Sequence, residues 1–527
     1  MERLILLFFI LLVQAIVSSS ETHLCHNDQT SALLQIKNAL TIDESVSLEW
    51  LKLEPHSFKH LLHNLTQLRE LDLSGIEISS VLPRNLSSSL RILSLGSTGL
   101  YGKFPDSVFD LPNLERLILT SNFDLQGHLP KTVWKSSISL KELDLSSTSF
   151  SGELQGSVGY LKSLTYLDLS SCKFSGAIPE SLGNLTRIEN LILSSNSFTG
   201  RVPLTLVSLE QLIRFDLSSN NLTGEIPDFF GKFRKLKDLS LADNLFTGRF
   251  PVSVTNLTKL ESLDLSNASI SGPIPPIVSG FPSLVLIFLG ENLLTGEIPS
   301  WVFHLPLLKY IDMKSNNLSG RIEGFSSEEM VHIDLSDNKL QGSIPSSISK
   351  LVNLTALYLS SNNFSGTLDV GTFSNLRQLR HLGLSYNSIS LSAAHKEIAL
   401  PDSIGNLWLS SCDIRELDFL RVAKNLGQLD LSRNKIRGQI PDWALSNWGS
   451  SVYYLNLSFN SLTEKNPPGE DVDGEDDSEF MHGFGWRSVM IGYGVGIVPG
   501  LVMGPLIFFP TRRPPKWLQG KLLFRKH

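Results

Sequence analysis

The chain has 527 residues, of which 41% are apolar and 18% are charged, and this composition is that of a folded protein. A formal net charge of −7 removes any case for nucleic-acid binding. The length does not by itself indicate several globular domains, because a repetitive fold grows lengthwise.

Residues 1–20 are predicted to be a secretory signal peptide. Arg3 lies in a short charged start, an apolar run covers residues 4–17, and three small serines at 18–20 precede Glu21. An uncleaved membrane anchor is the alternative interpretation of this segment.

Residues 21–67 are expected to form an N-terminal helical cap. Asp28 is a suitable first residue for a helix that extends to Leu40. Leu33, Ile36 and Leu40 would lie on one face of that helix. We therefore predict a capping helix over residues 28–40.

A repeated pattern fills residues 68–462. Sixteen start-to-start intervals of 22 to 26 residues, most of them 24, separate copies of Leu-x-x-Leu-x-Leu-x-x-Asn-x-Leu-x-Gly-x-Ile-Pro. One clean copy begins at Leu212 and the next at Leu236. Leu-x-x-Leu-x-Leu forms a short strand that buries alternate side chains, and it can bury them only when copies stack. The spacing predicts an α/β fold, a leucine-rich repeat solenoid of 17 turns with about 24 residues each.

An asparagine follows most of the predicted strands, where the chain turns inward. Its amide is expected to bond backbone groups that would otherwise be buried and unpaired. The glycine and Ile-Pro that come next suit a backbone that bends and then runs extended. These asparagines are Asn122, Asn196, Asn220, Asn244, Asn292, Asn316, Asn338, Asn362, Asn387, Asn434 and Asn460.

The three cysteines are Cys25, Cys172 and Cys412. Cys172 and Cys412 occupy the inward asparagine position in the fifth and fifteenth repeats, where a small, weakly polar side chain fits. Ten repeats correspond to about 48 Å along the solenoid, so these two cannot form a disulfide. Cys25 is left without an obvious partner.

The candidate ligand-binding surface is the concave sheet, because residues on either side of the middle leucine of each strand point away from the core. Many of these positions hold aspartates that we interpret as solvating the sheet: Asp144, Asp168, Asp216, Asp264, Asp312, Asp334 and Asp430.

From the tenth to the fifteenth repeat, the same positions hold an aromatic track over about 24 Å. Exposed aromatic side chains are favoured anchors for peptides and sugars. Chance enrichment on a wide sheet, or cover by an irregular stretch at 390–403, is the alternative. His332 and His381 lack a third ligand at a sensible spacing, so no metal site is predicted. The predicted ligand-binding residues are Phe288, Tyr310, His332, Tyr358, His381 and Trp408.

The segment after the repeats predicts a membrane anchor. Residues 463–488 form an acidic juxtamembrane stalk, residues 489–509 carry no charge, and residues 510–527 form a short basic tail. The uncharged segment would be about 32 Å long as a helix, which spans a bilayer. The positive-inside rule places the tail in the cytoplasm and the solenoid outside, as in a single-pass type I membrane protein of the cell membrane.

Two runs in this region resemble ligand-binding loops but lack their context. The Gly-Tyr-Gly-Val-Gly run at 492–496 lies inside the apolar span, without a preceding strand or a following lysine, so it is not a phosphate loop. The carboxylates at 471–479 lack the spacing of a calcium loop. No cofactor is predicted.

Glycines recur every four residues within the predicted membrane span. This spacing places a flat strip on one helix face, where another helix could approach closely. The general frequency of glycine in membrane helices is the alternative, and Pro499 and Pro505 predict a kink. The glycines are Gly492, Gly496, Gly500 and Gly504.

Ten Asn-x-Ser/Thr sequences predict N-glycosylation, in agreement with a secreted solenoid. They begin at Asn64, Asn85, Asn184, Asn221, Asn256, Asn267, Asn317, Asn353, Asn363 and Asn456.

The whole pattern resembles plant leucine-rich-repeat receptor-like proteins, the kinase-lacking class that includes fungal-resistance and developmental receptors. The Leu-x-Gly-x-Ile-Pro repeat is of the plant type. Three further stretches carry the resemblance: Cys25-His-x-Asp28 with the helix after it, Leu407 to Ile414 leading to Asp430 to Ile436, and the ending through Pro515-Lys-Trp517.

The resemblance implies perception of an extracellular peptide, protein or glycan fragment, with signalling through a leucine-rich-repeat receptor kinase that acts as adaptor or co-receptor. In similar proteins, the glycine strip and the acidic stalk, here residues 470–479, are associated with pairing to a kinase adaptor.

The chain departs from that family in its caps. Similar proteins have paired cysteines in both caps, and here Cys25 has no nearby partner, which predicts a weaker cap and allows a free thiol. The non-repeat island and last repeats of longer relatives are also missing before the stalk. A truncated decoy or non-signalling product is therefore one alternative function. A secreted inhibitor of the polygalacturonase-inhibitor kind is another, and the span at 489–509 argues against it. No catalytic group recurs in the repeats, so an enzyme is not expected.

Overall fold

Each predicted repeat contributes one strand of three residues to the parallel sheet of its own unit, and we call these strands together the main sheet. The computed structural model describes residues 40–43, 50–132, 134, 139–276, 281–392 and 400–463, and they fall in two compact units divided after Ser347. In the first unit the strands are Glu70–Asp72, Ile92–Ser94, Arg116–Ile118, Glu142–Asp144, Tyr166–Asp168, Asn190–Ile192, Arg214–Asp216, Asp238–Ser240, Ser262–Asp264, Leu286–Phe288, Tyr310–Asp312 and His332–Asp334. In the second unit they are Ala356–Tyr358, His381–Gly383, Asn406–Trp408, Gln428–Asp430 and Tyr454–Asn456. The predicted repeat strands are thus confirmed.

The register of the main sheet follows from the repeat length. Equivalent residues of neighbouring repeats lie side by side, so that Leu167 pairs with Leu191 and Leu191 with Phe215. These middle residues are fully buried, while the residues on either side of them face the other way. A one-residue slip would expose every middle leucine, so burial fixes the register.

A second set of strands follows the inward turn of most repeats and forms additional parallel sheets. Gly224 in one of them has a φ of +82°, a left-handed conformation that glycine adopts without strain. In the first unit these strands are Gly102–Lys103, Leu125–Gly127, Ser149–Glu153, Lys173–Ala177, Ser197–Gly200, Asn221–Glu225, Leu245–Thr247, Ser271–Pro273, Leu293–Glu297, Asn317–Ser319 and Gln341–Gly342. In the second unit they are Asn363–Asp369, Ser388–Ser392, Arg437–Gly438 and Ser461–Leu462.

Short helical segments complete the repeats and bury their apolar residues behind the main sheet. Many of them begin after a proline whose extended backbone suits the entry to a helix, as at Pro179. The 3-10 segments are Asp106–Asp110, Gly156–Tyr160, Glu180–Asn184, Leu204–Ser208, Phe230–Lys232, Val252–Asn256, Ser346–Lys350, Val370–Phe373 and Asp418–Leu420. Short α-helices cover Ser300–Phe303 and Asp442–Trp448.

The N-terminal part of the described chain is a strand pair followed by a helix. Strands Leu40–Asp43 and Trp50–Leu53 are antiparallel, and the helix Pro55–Asn64 begins with proline and buries Phe58. The cap predicted over residues 21–67 is therefore described only in part. Of the helix expected over residues 28–40, only Leu40 is described, and Leu40 lies in a strand.

Several predictions concern segments outside the described residues. These are the signal peptide at 1–20, Cys25, the stalk beyond residue 463, the glycine strip within 489–509 and the tail at 510–527. Among the residues that the structure does describe, none of the helices has the length and apolar character needed to cross a membrane.

The inward asparagines form a hydrogen-bonded ladder that joins neighbouring repeats. In Asn220 the side-chain nitrogen donates to the carbonyl oxygens of Leu193, Leu217 and Ser218, at 3.0 to 3.1 Å. Its oxygen accepts from the backbone nitrogen of Phe198, in the preceding repeat, at 3.0 Å. One buried amide therefore satisfies backbone groups of two repeats, as the sequence predicts.

Cysteine replaces asparagine in this ladder at two places. The thiol of Cys172 donates to the carbonyl oxygen of Leu145 at 3.0 Å, and that of Cys412 donates to Leu384 at 3.4 Å. A thiol cannot supply the accepting oxygen of an amide. The nitrogens of Cys412 and Ile414 both donate to the side-chain oxygen of Asn434 in the next repeat, at 2.9 and 3.0 Å. Both cysteines are free thiols.

Candidate functional site

The solvent side of the main sheet, which we call its open face, presents two rows of side chains. One row contains the first residue of each strand, and we call it the first row. The other contains the third residue of each strand, and we call it the third row. Since the middle residue of every strand except the last, Tyr454–Asn456, is buried in the core, these rows hold the residues available to a ligand.

Aspartates of the third row accept hydrogen bonds from the chain immediately after the strand. In Asp334 one carboxylate oxygen accepts from the backbone nitrogen of Ser336 at 3.1 Å and from its hydroxyl at 2.6 Å. The same backbone contact with the residue two places on occurs at Asp144, Asp168, Asp216, Asp264, Asp312 and Asp430. These carboxylates thus hold the turn after each strand as well as facing solvent.

Burial changes the acidity of some of these aspartates. It raises the pKa of Asp144 and Asp264, and it raises the pKa of Asp334 to about 6. At Asp334 the negative charge of Asp312 adds to this effect, while the hydrogen bonds from Ser336 oppose it. The folded chain therefore favours the protonated form of these carboxyl groups.

Asp334→Asn is expected to raise the free energy of unfolding by about 1–2 kcal/mol at about pH 7 and to leave it unchanged at about pH 4. The pKa of Asp334 is about 6 in the folded chain and about 3.9 in an unfolded one. Its contribution to stability is therefore complete below about pH 4 and is lost as the pH rises to about 6. Asparagine keeps the oxygen that accepts from Ser336 and cannot ionise. Urea unfolding at both pH values measures the difference, and an equal effect at both would contradict the prediction.

In the first unit, the three predicted aromatic residues do not form a single row. Tyr310 and His332 are neighbours in the first row, and their rings are stacked with centroids 6.1 Å apart and planes 19° apart. Phe288 lies in the third row, where it pairs with Asp312. Within the described ranges no ring lies against Phe288, so the structure brings together only two of these three side chains.

In the second unit, the other three predicted residues are in contact, and we call them the aromatic cluster: Tyr358, His381 and Trp408. The ring of Tyr358 lies 6.4 Å from that of His381 and 6.0 Å from that of Trp408, measured between centroids. Gly383 pairs with Tyr358 on one side and Trp408 on the other. Because glycine has no side chain, the two large rings meet above it.

His381 is held in place by its neighbour in the first row. The side-chain nitrogen of Asn406 donates to Nδ1 of His381 at 2.9 Å. Burial lowers the pKa of His381, and the positive charge of Arg380 lowers it further. The imidazole is therefore neutral over a wider range of pH than an exposed histidine.

Further exposed aromatic residues follow this cluster in the chain, and the sequence analysis missed them. Tyr453 is 75% exposed, and its hydroxyl accepts a hydrogen bond from Gln428 at 2.9 Å. The guanidinium of Arg433 lies 4.5 Å from the ring centroid of Phe459. Tyr454 occupies the first row like His381, so the same positional argument could have found it.

A depression of about 490 Å³ opens beside the strand that carries His381. We call it the basic depression. Its lining residues are Arg377, Gln378, Arg380, His381, Ser403, Gly405 and Asn425. His381 belongs to both the basic depression and the aromatic cluster, so the two features adjoin.

The predicted glycosylation sites lie on several faces of the repeats. Asn317 and Asn456 are half-buried, and the other eight asparagines are exposed. Asn456 lies on a strand of the main sheet and accepts hydrogen bonds from Ser458, so a glycan there would lie on the open face. Glycosylation at all ten sites stays a prediction.

Comparison with known families and proteins agrees with this architecture. A family model described as leucine rich repeat matches residues 210–270, and a second of the same description matches residues 163–185, 329–351, 353–376 and 425–447. The chain is 45% identical over 114 residues to receptor-like protein Cf-9 of Solanum pimpinellifolium, which is 22% of this chain and 13% of that protein. The chain is a leucine-rich-repeat protein similar to plant receptor-like proteins.

A second such relative is receptor-like protein 6 of Arabidopsis thaliana. This leucine-rich-repeat chain is 42% identical to it over 140 residues, which is 25% of the chain and 14% of the relative. The matched regions therefore cover only about one seventh of the length of these relatives.

Solved structures of plant receptors share the solenoid of parallel strands. The plant peptide hormone receptor RGFR1 in complex with RGF2 has a TM-score of 0.58 and 29% identity, covering 76% of this chain and 72% of that one. The leucine-rich-repeat ectodomain of the Arabidopsis receptor kinase HAESA, in complex with an extended IDA peptide hormone, has a TM-score of 0.64 and 27% identity, covering 83% and 86%. The fold of this leucine-rich-repeat protein is that of plant receptor ectodomains.

Proposed function

We propose that this chain is a single-pass cell-surface receptor-like protein that binds an extracellular peptide on the open face of its main sheet. It has no catalytic role in this proposal, and a partner receptor kinase transmits the signal, in defence or development. The signal peptide at 1–20 directs secretion, and the segment at 489–509 anchors the chain with its solenoid outside the cell.

The aromatic cluster carries the proposal. Tyr358 and Trp408 place two large rings side by side on a sheet face whose third row otherwise holds many aspartates. Aromatic rings contribute large contact areas at little cost in conformational entropy, which makes them effective anchors for a peptide. The similar receptors RGFR1 and HAESA were solved with peptide hormones bound, which supports a peptide as the ligand class.

Trp408→Ala is expected to weaken peptide binding at least tenfold. Full-length protein in mild detergent would first select binders from an immobilised random library of short peptides, and fluorescence polarisation would then give the Kd of the selected peptides. Loss of one aromatic anchor costs about 2 kcal/mol, or roughly thirtyfold in Kd. Phe123→Ala is the control, because Phe123 is 71% exposed and lies outside the strands of the main sheet. Selection of no peptide by folded protein would contradict the proposed function.

The partner kinase is tested separately by co-immunoprecipitation at a plant cell surface. A variant with leucine at Gly492, Gly496, Gly500 and Gly504 is expected to lose capture of receptor-kinase adaptors, because a flat helix face is removed. Val498→Leu with Val502→Leu changes the same segment without touching the glycines. Absence of capture by wild-type protein at the surface would contradict partner signalling. Capture without a response to a bound peptide would indicate a decoy.

A further inference from the structure

The basic depression lies where two strands of the second unit begin. Arg380 directly precedes the strand His381–Gly383, and Gly405 directly precedes the strand Asn406–Trp408. None of the residues lining the depression is acidic, and Arg377 and Arg380 both carry a positive charge. The site therefore concentrates positive charge at the N-terminal ends of these strands.

Gly405 provides the open floor of this depression. A Cβ atom built at Gly405 would have no neighbour closer than 3.8 Å, the backbone oxygen of Arg380. The comparable glycine of the next strand, Gly427, is instead covered by Tyr453, whose ring would lie 2.8 Å from such an atom. The space above Gly405 is thus empty of side chains, whereas that above Gly427 is filled.

The two arginines lack the carboxylate partner that some other cations near the strands have. Lys141 donates to Glu115 at 2.7 Å, and Lys237 donates to Glu261 at 2.6 Å. Arg377 and Arg380 form no ion pair with any residue that the structure describes. An unpaired guanidinium in a depression can donate several hydrogen bonds in the planar geometry that a carboxylate accepts.

The aromatic cluster indicates which chemical group a ligand must carry next to that carboxylate. His381 lines the basic depression, its ring is stacked with that of Tyr358, and the ring of Tyr358 lies against that of Trp408. A ligand that fills both needs a carboxylate and an apolar or aromatic group close to it. A polyanionic glycan with a carboxylate on every sugar would be repelled by the aspartates of the main sheet and by the net charge of −7 on the chain. A peptide with one well-placed carboxylate avoids this repulsion.

We propose that the basic depression binds a carboxylate of the peptide ligand, with Arg377 and Arg380 as its donors and the aromatic cluster holding the neighbouring side chain. This rests on the proposed function, since it assumes that the open face binds a peptide. The carboxylate comes either from an Asp or Glu side chain or from the C-terminus of the peptide.

Two random libraries of twelve-residue peptides, presented to the full-length protein in mild detergent, distinguish these sources. One library has free C-terminal carboxylates, and the other has C-terminal amides. Enrichment of Asp or Glu in both libraries would assign a side-chain carboxylate. Binding confined to the free-carboxylate library would assign the C-terminus. Both results support the proposal.

Selected peptides should bind at least tenfold more weakly to two variants. Arg377→Gln with Arg380→Gln removes the charge, and Gly405→Glu fills the floor and adds a negative charge. The control is Arg69→Gln, because Arg69 directly precedes the strand Glu70–Asp72, as Arg380 precedes its own strand, and is also exposed. The control should bind the selected peptides as tightly as the wild type.

Three results would overturn the proposal. One is selection of peptides with no preference for a carboxylate, together with loss of binding in Trp408→Ala; this would retain the proposed function but not the subsite. Another is unchanged affinity in both depression variants. The third is tight, Gly405→Glu-sensitive binding of a galacturonic acid oligomer, used as the probe, which would make the ligand an acidic glycan. Failure to select any peptide would instead contradict the proposed function itself.

Discussion

Replacing Gly159 with alanine is expected to lower the free energy of unfolding by about 2–3 kcal/mol. The new Cβ atom would overlap the backbone carbonyl oxygen of Ser181 and would lie 2.7 Å from the Cβ atom of Ser181. Ser181 belongs to the helical segment Glu180–Asn184 of the next repeat. Backbone atoms cannot rotate away, so the two repeats must move apart and lose packing contacts along the solenoid.

Gly156→Ala is the matched control, because Gly156 lies in the same segment, Gly156–Tyr160. Its new Cβ atom would meet the hydroxyl of Ser181 at 3.6 Å, an ordinary contact. We expect a change within about 0.5 kcal/mol, since alanine also restricts the unfolded chain. Urea unfolding followed by circular dichroism compares both variants with the wild type. Equal stability of the two variants would show that the repeats adjust to the added atom.

The repeat length made most of the main sheet predictable. Leucines at alternate positions determine which face of each strand is buried, and a spacing of about 24 residues places equivalent residues side by side. The ladder was predictable for the same reason, because an amide such as that of Asn220 recurs wherever the chain turns inward. The close approach of Gly159 to Ser181 was not predictable, since the sequence does not give the distance between neighbouring helical segments.

The backbone conformation of the residue before each inward asparagine also could not be predicted from the sequence. Ser219 has a φ of +54°, and its backbone nitrogen donates to the carbonyl oxygen of Ala242 at 2.9 Å. Glu291, Tyr386 and Arg433 adopt the same left-handed conformation at equivalent places. Side chains so different share it because the hydrogen bond to the next repeat, and not their own preference, fixes the backbone.

The candidate site was predictable only in part. Alternation along a strand identifies the residues that face solvent, but it does not show which of them touch. Phe288 lies in another row than Tyr310, while Tyr358 and Trp408 meet because the intervening residue is glycine. The basic depression likewise depends on the missing side chain at Gly405, and no periodic pattern marks that position.

Asn292→Ala is expected to lower the free energy of unfolding by about 3–4 kcal/mol. Position 268 of the preceding repeat holds alanine where most repeats have asparagine. The side-chain oxygen of Asn292 accepts from the backbone nitrogens of both Ala268 and Ile270, at 3.1 and 2.9 Å. Its nitrogen donates to the carbonyl oxygen of Leu265 at 2.8 Å. Alanine would leave these buried groups unpaired, and each such group costs about 1–3 kcal/mol.

Asn292→Cys is expected to destabilise less, by about 2–3 kcal/mol. The thiol of Cys412 shows that cysteine can donate to a backbone carbonyl from this position, although it cannot replace the amide oxygen. A ranking of alanine as most destabilising, cysteine as intermediate and wild type as most stable would therefore separate the two functions of the amide.

Asn190→Ala is the control for this series, because Asn190 lies in the first row and its side-chain amide forms no hydrogen bond within the described part of the chain. We expect its free energy of unfolding to stay within about 0.5 kcal/mol of the wild type. Urea unfolding gives the global values, and amide hydrogen exchange locates the loss, since Ile270 should lose protection before distant repeats do. If Asn292→Ala were as stable as Asn190→Ala, the stability of the solenoid would come from leucine burial alone, and the ladder would only select the register of its turns.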